Sequence, residues 1–558
     1  MKNIDINSWK DYSIDTLLDF VRMYDSRPES IDKIVAAYNK AEKAHRKQER
    51  DTHEPYIIHP VAVANFLAIM KVDIDTICAG LLHDVVEDTS VTKEDIEKEF
   101  GKDVADIVDG VTKINKLDDI DPSTLNISLN EQNPENLRML NRKKIIDSLL
   151  YDPRIIIVKL CDRLHNMLTI DVKTPVKRKA KAIETLSLYV PLANKLGIYK
   201  IQQELEDASF KWIDPMIYYR IGMSRNSLKN ENMPLINEML RNMTDVIKDN
   251  VRRIGGYDSS DGRSNDELLK DTLFIGDNLS RARIKHIYGI YDALLRLKPD
   301  DVDEATYIKE LNFDRPTLEQ IHDLRVVKLI MKDEDSCFAA LRYLHKTYRH
   351  LDKYLKDYIN TPKYNMYKSL HSTVITEDGR FVQFQIRTIE QEYRNTYGLA
   401  WELYKYEGEN TRERILEEFK KYPAYKILLD IKEDKTASDL EGYQSLIDKE
   451  LLNTREITVI NKQTGENIQI RDDATIHDFA YRVGGPMGDH LYKATVNDKV
   501  YLLKFKRGKA IYPFGRRLRP GDEISVEFNE EIICPKPGAT MERGKLETFI
   551  KRLKKMKQ

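Results

Sequence analysis

Hydrophobic residues in the N-terminal half of the chain recur at helical spacing and predict a mostly helical region up to about residue 250. Pro60 suits the first turn of a helix over Val61–Met70. The apolar run Ile155–Leu160 is rich in β-branched residues, yet its helical surroundings favour a buried helix over a strand. Residues 115–135 are polar and rich in Asp and Asn, which predicts a loop.

Beyond about residue 270 the spacing changes, and strand-like runs at Val326–Met331 and Phe381–Arg387 alternate with helical segments. This pattern predicts an α+β domain that ends near residue 407. Residues 455–530 are predicted to form a small β-grasp-like module of short strands around one helix. Its segments are Glu456–Ile460, Asn467–Ile470, Asp478–Val483, Tyr492–Val496 and Glu523–Phe528.

These changes of pattern divide the chain into three domains with connecting segments. The predicted limits are 1–210 for the helical domain, 211–270 for a helical connector, 271–407 for the α+β domain, 408–453 for a helical linker, 454–530 for the β-grasp module and 531–558 for a basic C-terminal tail. A length of 558 residues suits such a multidomain protein.

Composition narrows the class of protein. Charged residues make up 33% of the chain and hydrophobic ones 41%, as in charge-rich globular proteins. The net charge of −2 gives no global basic surface, so any nucleic-acid contact must come from a local patch. Four widely spaced cysteines argue against a disulfide framework and against a cysteine zinc site. With no signal peptide and no apolar run of membrane-spanning length, we expect a cytoplasmic protein that does not bind membranes.

The stretch His83–Thr89 carries the main candidate chemistry. It follows an apolar run and crowds one histidine and three acids together. On a helix, His83 and Asp84 lie one turn before Glu87 and Asp88, respectively. Crowding three acids is electrostatically costly unless a cation or a proton offsets it. The pattern indicates a metal-dependent phosphohydrolase, with a solvated acidic helix end as the alternative.

Four residues are candidate metal ligands: His59, His83, Asp84 and Asp162. Two imidazoles and two carboxylates suit a divalent transition ion such as Mn, Fe, Co or Zn better than calcium, which prefers oxygen ligands. Such an ion lowers the pKa of a water and holds a phosphoryl oxygen. Taken singly, His59 also suits a helix start, and Asp162 suits a local ion pair with Arg163.

Four further residues are candidates for the chemistry around this ion. Glu87 and Asp88, one turn beyond the ligands, could accept the proton of the attacking water and orient it. Lys159 and Arg163 flank Asp162 and could counter the charge of a phosphate.

Several motifs, in order along the chain, resemble the hydrolase domain of the RelA/SpoT family. They are Arg50 with Glu54–Pro60, Leu81–Thr89, Val108–Lys113, Lys159–Met167, Glu184–Leu186, Pro191–Ala193 and Glu204–Asp207. The resemblance implies an all-α HD-type fold with manganese as the metal. It also implies removal of the 3′-pyrophosphate of guanosine tetra- and pentaphosphate, (p)ppGpp, which yields GDP or GTP in the stringent response.

The resemblance also implies roles for individual residues. These are metal ligation by His59, His83, Asp84 and Asp162, catalysis by Glu87 and Asp88, guanine stacking by Arg50 and nucleoside contact by Asn166. One departure is visible just before Glu54. The family's Arg-Lys-Ser-Gly becomes Arg-Asp-Thr-His here, so that Asp51 replaces a lysine.

Residues 275–407 resemble the synthetase domain of the same family, which has a nucleotidyltransferase-like α+β fold. The resemblance implies pyrophosphate transfer from ATP to the 3′-hydroxyl of GDP or GTP. Magnesium at Asp323, phosphate clamping by Arg283, Lys285 and Lys363, and guanine stacking by Tyr367 suit that chemistry. Further matching residues are His371, Gln385 and Arg387.

The synthetase motif departs from the family at its centre. Gln383 stands where the family has a glutamate. Glutamine has no negative charge and cannot accept a proton near neutral pH, so magnesium attraction and base function are both lost. Met366 replaces the glycine before Tyr367, and Trp401–Leu403 replaces an Ala-His-Trp motif. Together these changes predict a degenerate synthetase that could still bind nucleotide and regulate the hydrolase; neutral substitutions in a working synthetase are the alternative.

Residues 455–530 resemble a TGS module, which in this family senses tRNA, the ribosome or a protein partner. The match rests on Asp478–Tyr481, Val496–Asn497 and Arg519–Asp522, and His490 lies near a family histidine that contacts the tRNA end. A basic stretch with interleaved aromatic residues could meet RNA, although a solvated hairpin face fits it equally. It comprises Lys504, Phe505, Lys506, Arg507, Lys509, Tyr512, Phe514, Arg516, Arg517 and Arg519.

The chain ends at Gln558, short of the helical, zinc-finger and ACT-type parts of long family members, and both a natural short form and a truncated chain stay open. Three hypotheses follow. The first is a manganese-dependent (p)ppGpp hydrolase with a weak or inactive synthetase. The second is a bifunctional enzyme that also binds ATP and Mg²⁺, and the third is a non-catalytic regulator that binds tRNA or a protein. The complete ligand set with Glu87 and Asp88 favours an enzyme.

Overall fold

The computed structural model describes residues 12–118, 134–255, 280–298, 302–360, 362–363, 365–405, 411–433, 456–471, 474–506, 509–511, 513–519 and 521–529. The chain forms two compact units, Met1–Leu452 and Asn453–Gln558. None of the helices within these described ranges is both long enough and apolar enough to cross a membrane. The predicted basic C-terminal tail, residues 531–558, lies outside the described residues.

The first unit begins with a helical region, residues 12–255. Its helices are α1 (Ile14–Arg22), α2 (Pro28–His45), α3 (Ile58–Ile69), α4 (Ile74–Leu82), α5 (Val85–Asp88), α6 (Lys93–Phe100), α7 (Lys102–Asp118), α8 (Pro134–Tyr151), α9 (Pro153–Leu168), α10 (Pro175–Glu184), α11 (Val190–Lys195), α12 (Tyr199–Ile213) and α13 (Pro215–Gly255). The helix expected at Val61–Met70 and the buried helix at Ile155–Leu160 are confirmed by α3 and α9. The predicted loop begins too early, because α7 continues through residues 115–118.

Local capping fixes where the helices of the site begin. The Asp73 side chain accepts a hydrogen bond from the backbone N–H of Thr76 at 3.1 Å and starts α4. Asp152 accepts one from the N–H of Arg154 at 3.0 Å, and Pro153 occupies the first turn of α9. The helix α3 is buried on all sides, so it lies at the centre of the helical core.

A sheet region, residues 280–397, follows within the same unit. Its elements are β1 (Arg281–Ile284), α14 (Ile287–Leu295), α15 (Glu304–Glu310), α16 (Arg315–Glu319), β2 (Arg325–Met331), α17 (Glu334–Thr347), β3 (Arg349–His350), β4 (Lys356–Asp357), β5 (Leu370–Ile375), β6 (Phe381–Thr388) and α18 (Ile389–Tyr397). The sheet order is β1-β2-β6-β5-β3, with β4 paired to β5. β2 and β6 run parallel and place Val326 opposite Gln383. Both predicted strands, and the α+β class, are confirmed.

After the sheet region the chain returns to the helical core. The helices α19 (Leu399–Lys405), α20 (Thr411–Lys420) and α21 (Pro423–Glu433) contribute Leu399, Phe419 and Leu428 to the same hydrophobic cluster as α1–α12. The junction is tight: the backbone N–H of Leu399 donates to the carbonyl of Leu196 at 2.9 Å. A side chain at Gly398, where φ is 55°, would meet that carbonyl oxygen at 2.1 Å.

The second unit contains a five-stranded mixed sheet in the order β10-β9-β13-β7-β8. Its elements are β7 (Glu456–Asn461), β8 (Asn467–Arg471), α22 (Ile476–Gly484), β9 (Leu491–Val496), β10 (Lys499–Leu502), β11 (Lys504–Lys506), β12 (Lys509–Ile511) and β13 (Glu523–Phe528). The strands β10, β11 and β12 were not predicted. Phe514 is fully buried in the core of this unit, so its predicted contact with RNA bases is wrong. Arg507 and Tyr512 lie outside the described residues.

Candidate active sites

The first candidate site lies where α3, α4 and α9 converge in the helical region. His59 stands at the start of α3, His83 and Asp84 follow the end of α4, and Asp162 belongs to α9. All four side chains are buried. His59 Nε2 lies 3.4 Å from Asp84 Oδ2 and 3.3 Å from Asp162 Oδ1. His83 Nε2 lies 3.2 Å from Asp84 Oδ1 and 3.9 Å from Asp162 Oδ1. The predicted ligands are therefore brought together.

The chemistry of this cluster fits a divalent metal ion. His83 Nδ1 lies 2.8 Å from the carbonyl oxygen of Gly80 and donates to it, so Nε2 is the ring nitrogen that faces the carboxylates. That buried Nε2 has no hydrogen-bond partner among the residues that the structure describes. A ring nitrogen this close to carboxylate oxygens must carry either a proton or a metal ion, because a bare lone pair would be repelled. Ligand atoms of His59, His83 and Asp162 all lie within 4.8 Å of one another, as a shared ion requires.

The electrostatics of the cluster favour positive charge. Burial alone would raise the pKa of Asp84, but the neighbouring His83 and His59 hold it well below its usual range. Burial likewise opposes ionisation of Asp162, and Lys159 with the two histidines holds its pKa low. Burial would lower the pKa of His83, yet Asp84 and Asp162 raise it to about 9. The carboxylates thus stay ionised and attract a cation.

The predicted catalytic pair lies beside the ligands, on α5. Burial raises the pKa of Glu87 to about 7, against a hydrogen bond from Asn115. Its Oε2 is buried and has no hydrogen-bond partner among the described side chains and backbone, so it is free to accept a proton. Burial and Asp84 raise the pKa of Asp88. The Tyr56 hydroxyl lies 2.8 Å from Asp84 Oδ2 and 2.9 Å from Asp88 Oδ2, and so ties the pair to a ligand.

The residues predicted to contact substrate divide into two groups. Arg50 Nη2 donates to Asn166 Oδ1 at 3.2 Å, and Asn166 Nδ2 donates to Asp162 Oδ1 at 2.6 Å, so both lie next to the ligand cluster. Lys159 Nζ donates to Asp162 Oδ2 at 2.9 Å. Arg163 is not brought to the cluster in the same way. Its buried guanidinium donates to Glu184 at 2.9 Å and lies 4.0 Å from the centre of the Tyr189 ring.

The second candidate site lies at the strands β2, β5 and β6 of the sheet region. Asp323, just before β2, forms an ion pair with Lys285. Gln383 on β6 accepts a hydrogen bond from Gln385 Nε2 at 2.9 Å. Arg283 on β1 hydrogen-bonds Tyr199, which reaches it from α12 of the helical region. Asp323, which is expected to hold magnesium, and Gln383, which replaces the family glutamate, are thus both bound to neighbouring side chains.

The rest of this second site is a cationic network. Arg387 donates to the Tyr367 hydroxyl at 2.9 Å, and that hydroxyl lies 2.8 Å from His371 Nε2. Lys363 Nζ lies 5.8 Å from the centre of the Tyr367 ring. The carboxylate of Glu392 accepts from Lys328 at 2.8 Å and from Arg387 at 3.1 Å.

One carboxylate serves two buried cations in this network. Burial would raise the pKa of Glu392, but Lys328 and Arg387 lower it to about 2. Burial lowers the pKa of Lys328 to about 7, because Glu392 only partly offsets the cost of its charge. The site therefore has an excess of positive charge.

Two family models match the chain over the regions that hold these sites. One, described as an HD domain, covers residues 37–199, and the other, described as a region found in RelA / SpoT proteins, covers residues 282–410. A Synechocystis protein named probable guanosine-3′,5′-bis(diphosphate) 3′-pyrophosphohydrolase is 34% identical over 468 residues. The chain belongs to the RelA/SpoT family. It therefore contains an HD domain, a metal-dependent hydrolase fold, followed by a synthetase-type region.

Other similar proteins are named for a different set of activities. A relative from Escherichia coli K12, named bifunctional (p)ppGpp synthase/hydrolase SpoT, is 33% identical over 495 residues. The alignments take in 83% and 88% of this RelA/SpoT chain but only 54% and 62% of the Synechocystis and Escherichia coli relatives, respectively. A solved structure titled as a metazoan ortholog of SpoT that hydrolyzes ppGpp is 32% identical and covers 25% of this chain and 71% of its own, with a TM-score of 0.20.

Positions where this RelA/SpoT chain departs from the family pattern have new contacts. Asp51 forms an ion pair with Lys173. Met366 keeps a left-handed backbone, with φ of 64°, although it has a side chain, and that side chain packs on the helical core. Trp401 is buried, and the Lys71 ammonium lies 5.7 Å from the centre of its ring. Met366 thus joins the sheet region to the helical region.

Three residues of the first site were not singled out from the sequence. Tyr56 lies inside the motif that holds His59, so proximity to a ligand was the signal that could have found it. His165 Nδ1 lies 2.8 Å from His59 Nδ1 and stands one helical turn after Asp162, which is a similar signal. Asn115, which accepts from Lys159 Nζ at 2.5 Å, gave no signal, because its segment was predicted as a loop.

Proposed function

We propose that this protein is a manganese-dependent hydrolase that removes the 3′-pyrophosphate of (p)ppGpp in the stringent response, and that its synthetase-like site makes little or no (p)ppGpp. One observation carries the proposal. The buried His83 Nε2, which has no hydrogen-bond partner among the described residues, lies 3.2 Å and 3.9 Å from the carboxylates of Asp84 and Asp162, an arrangement that suits a shared cation. Imidazole and carboxylate donors together suit manganese and neighbouring transition ions.

His59, His83, Asp84 and Asp162 would hold the ion, which when bound polarises a phosphoryl oxygen and acidifies a water. Glu87 accepts a proton from the attacking water, which suits a pKa near 7. Asp88, fixed by Tyr56, orients that water. The water oxygen bonds to phosphorus, the bond to the nucleoside 3′-oxygen breaks, and the 3′-oxygen takes up a proton as GDP or GTP forms.

Substrate contacts follow from the same geometry. Arg50, held against Asn166 at 3.2 Å, offers a flat guanidinium face to guanine beside the ligand cluster. Lys159 neutralises Asp162 rather than a phosphate, since its Nζ lies 2.9 Å from that carboxylate. Arg163 has no role in binding in this proposal, because it is held by Glu184 and Tyr189.

The synthetase-like site supports binding better than catalysis. Gln383 has no charge for magnesium, and Asp323 is already paired with Lys285. Its excess of cations still suits the phosphates of GDP, GTP or ATP. A bifunctional enzyme is the second candidate, favoured by the presence of Arg283, Lys285, Tyr367 and Arg387 together in one site. For the second unit we propose a TGS-type sensor of tRNA, the ribosome or a protein, supported by its mixed sheet and single packed helix.

Two incubations of the purified protein test these statements. One contains ppGpp with Mn²⁺, and the other contains ATP and GDP with Mg²⁺; nucleotides are separated by ion-exchange chromatography. We expect hydrolysis in the first and no synthesis in the second. Synthesis at a rate comparable to hydrolysis would contradict the reading of Gln383. Metal binding without turnover in either incubation would favour a non-catalytic regulator.

A further inference from the structure

Next to Arg50, at the edge of the first site, lies an ion pair that the family pattern does not predict. Asp51, which stands in place of a lysine, forms an ion pair with Lys173. Lys173 follows the 3₁₀ turn Ile170–Val172 at the end of α9, and its backbone N–H donates to the carbonyl of Ile170 at 3.0 Å. A lysine is therefore present here, but it comes from the segment that follows α9 and not from the segment that contains Asp51.

A continuous set of contacts connects Lys173 to the metal ligands. Asn166 donates to the ligand Asp162 at 2.6 Å, and Arg50 donates to Asn166 at 3.2 Å. Arg50 also donates to Thr169 Oγ1 at 3.3 Å, which holds it against the end of α9. Asp51 comes next in the chain and meets Lys173. In this series of contacts, Lys173 is therefore farther from the ligand cluster than Arg50 is.

The local charge favours a polyanion. The pKa of the Asp51 carboxyl lies below its usual value, first because of Lys173 and then because of Arg50 and Lys177. One carboxylate therefore stands among three cations. The side chains of Lys173 and Asp51 are 51% and 58% exposed, respectively. Such exposed ion pairs shift an equilibrium by at most about fivefold, so a more highly charged phosphate group can displace the carboxylate.

We propose that Lys173 binds the 5′-polyphosphate of the substrate, and that Asp51 holds this lysine until the substrate arrives. The inference rests on the proposed hydrolase function. The 3′-pyrophosphate must lie at the metal ligands to be cleaved, and guanine stacks on Arg50. The polyphosphate on the 5′-carbon is the remaining charged group, and of the two lysines near Asp51 we assign it to Lys173, which pairs with Asp51 directly. Lys173 is a specificity-determining residue, because it distinguishes substrates by their 5′ end.

The test compares two substrates that differ only at that end: ppGpp, and guanosine 3′-diphosphate, which has no 5′-phosphate. We expect Lys173→Gln to raise KM for ppGpp about tenfold with kcat nearly unchanged, and to leave KM for guanosine 3′-diphosphate as it is. Asp51→Asn should lower KM for ppGpp severalfold, because the lysine loses its competing partner. Both effects should shrink as ionic strength rises.

The matched control is Lys40→Gln, since Lys40 forms a similar surface ion pair with Glu99 at 2.7 Å in the same region. It should change neither KM. The exchange variant Asp51→Lys with Lys173→Asp returns the cation to position 51 and should restore most of the affinity for ppGpp. Equal effects of Lys173→Gln on both substrates, or no effect on either, would overturn the inference.

Failure of the proposed function is a separate result. If the wild-type protein hydrolyses neither substrate, the hydrolase proposal fails, and calorimetric titration of ppGpp and guanosine 3′-diphosphate into the intact protein still tests Lys173. A loss of affinity in Lys173→Gln for ppGpp alone would then support the role of this lysine without the activity. If the wild type does hydrolyse ppGpp and Lys173→Gln behaves like Lys40→Gln, only the role of Lys173 is wrong.

Discussion

The site in the helical region leaves a buried ring nitrogen, His83 Nε2, without a hydrogen-bond partner among the described residues, whereas the site in the sheet region engages Gln383 and Asp323 with neighbouring side chains. The four predicted ligands of the first site are all buried, whereas most of the predicted residues of the second site, such as Asp323 and Gln383, are only partly buried. The first keeps two ionised carboxylates and attracts a cation. In the second, one buried carboxylate, that of Glu392, accepts hydrogen bonds from two cations. Two sites of similar polarity therefore differ in whether their acidic groups face one another or are paired with cations.

The largest effect should come from removing a ligand of the first site. Asp84→Ala should lower hydrolysis of ppGpp by about 10³-fold or more and abolish tight Mn²⁺ binding together, because the ion and the Tyr56 contact are both lost. Metal content by atomic emission and initial rates by nucleotide chromatography measure this. Asp19→Ala, at an exposed acid that pairs with Arg22 in the same region, is the control and should match the wild type. Retained hydrolysis in Asp84→Ala would refute the metal assignment.

A second prediction concerns stability of the sheet region. Glu392→Gln leaves Lys328 and Arg387 buried without their carboxylate and should lower the free energy of unfolding by about 3 kcal/mol. Because the folded pKa of Glu392 lies near 2, below the unfolded value, its stabilising contribution is complete above about pH 5 and is lost as the pH falls towards 2. Thermal melts across this pH range provide the measurement.

The control for that prediction is Glu390→Gln, two residues earlier on the same helix, whose side chain is 59% exposed and lies 3.6 Å from Arg394. It should shift the melting temperature little. If both variants melt alike at pH 7, the ion network around Glu392 does not stabilise the sheet region.

A third prediction concerns the second site, where the replacement of a family glutamate by Gln383 can be reversed. Gln383→Glu restores a carboxylate of the same shape and should raise synthesis of ppGpp from ATP and GDP by about 10²-fold over the wild type, the lower end of what a general base contributes. Gln385 Nε2 can still donate to the new carboxylate, so the strand should not be disturbed. Rates are followed with labelled ATP. Adding Asp323→Asn should remove the gain; a gain that persists would mean that magnesium is held elsewhere.

The smallest of these effects should come from Tyr56→Phe. This variant removes the hydroxyl that joins Asp84 and Asp88 but leaves every proposed ligand in place. We expect a loss of about tenfold in kcat together with weaker Mn²⁺ binding. Tyr24→Phe, which removes a hydroxyl bound 3.2 Å from the carbonyl of Val72, is the matched control. Unchanged metal affinity would show that Tyr56 does not position Asp84.

The helices and the pair His83–Asp84 were predictable from the sequence because each depends on local pattern, whereas His59 and Asp162 entered the predicted ligand set from motifs far from that pair. The helix α9 follows from apolar periodicity, and His83 with Asp84 follows from composition over one helical turn. The contacts of Arg163 were not predictable, since Glu184 and Tyr189 come from later helices and only the fold brings them to it. The same holds for Phe514, where the basic neighbours suggested a surface and the packing of the module decided burial.

Charge pairs across the chain were the other feature that sequence order concealed. In the sequence, Asp51 suggested that a cation had been lost, and only the fold shows that Lys173 forms an ion pair with it. Likewise, Lys328 and Glu392 are far apart in the sequence, and the parallel pairing of β2 with β6, followed by α18, brings them to 2.8 Å. Long-range ion pairs depend on topology, which single-residue patterns do not encode.

The return of α19, α20 and α21 to the helical core has a consequence for how the protein is made. Their residues Leu399, Phe419 and Leu428 complete the cluster that surrounds α3 and α9, yet they are translated about 200 residues after α12. At about 5–20 residues per second, the ribosome needs roughly 10–40 seconds to add that stretch. During synthesis, part of the apolar surface of the nascent helical region therefore stays exposed to solvent until the sheet region and then α19–α21 have emerged. A gene fragment that stops near residue 210 would encode a permanently unfinished core.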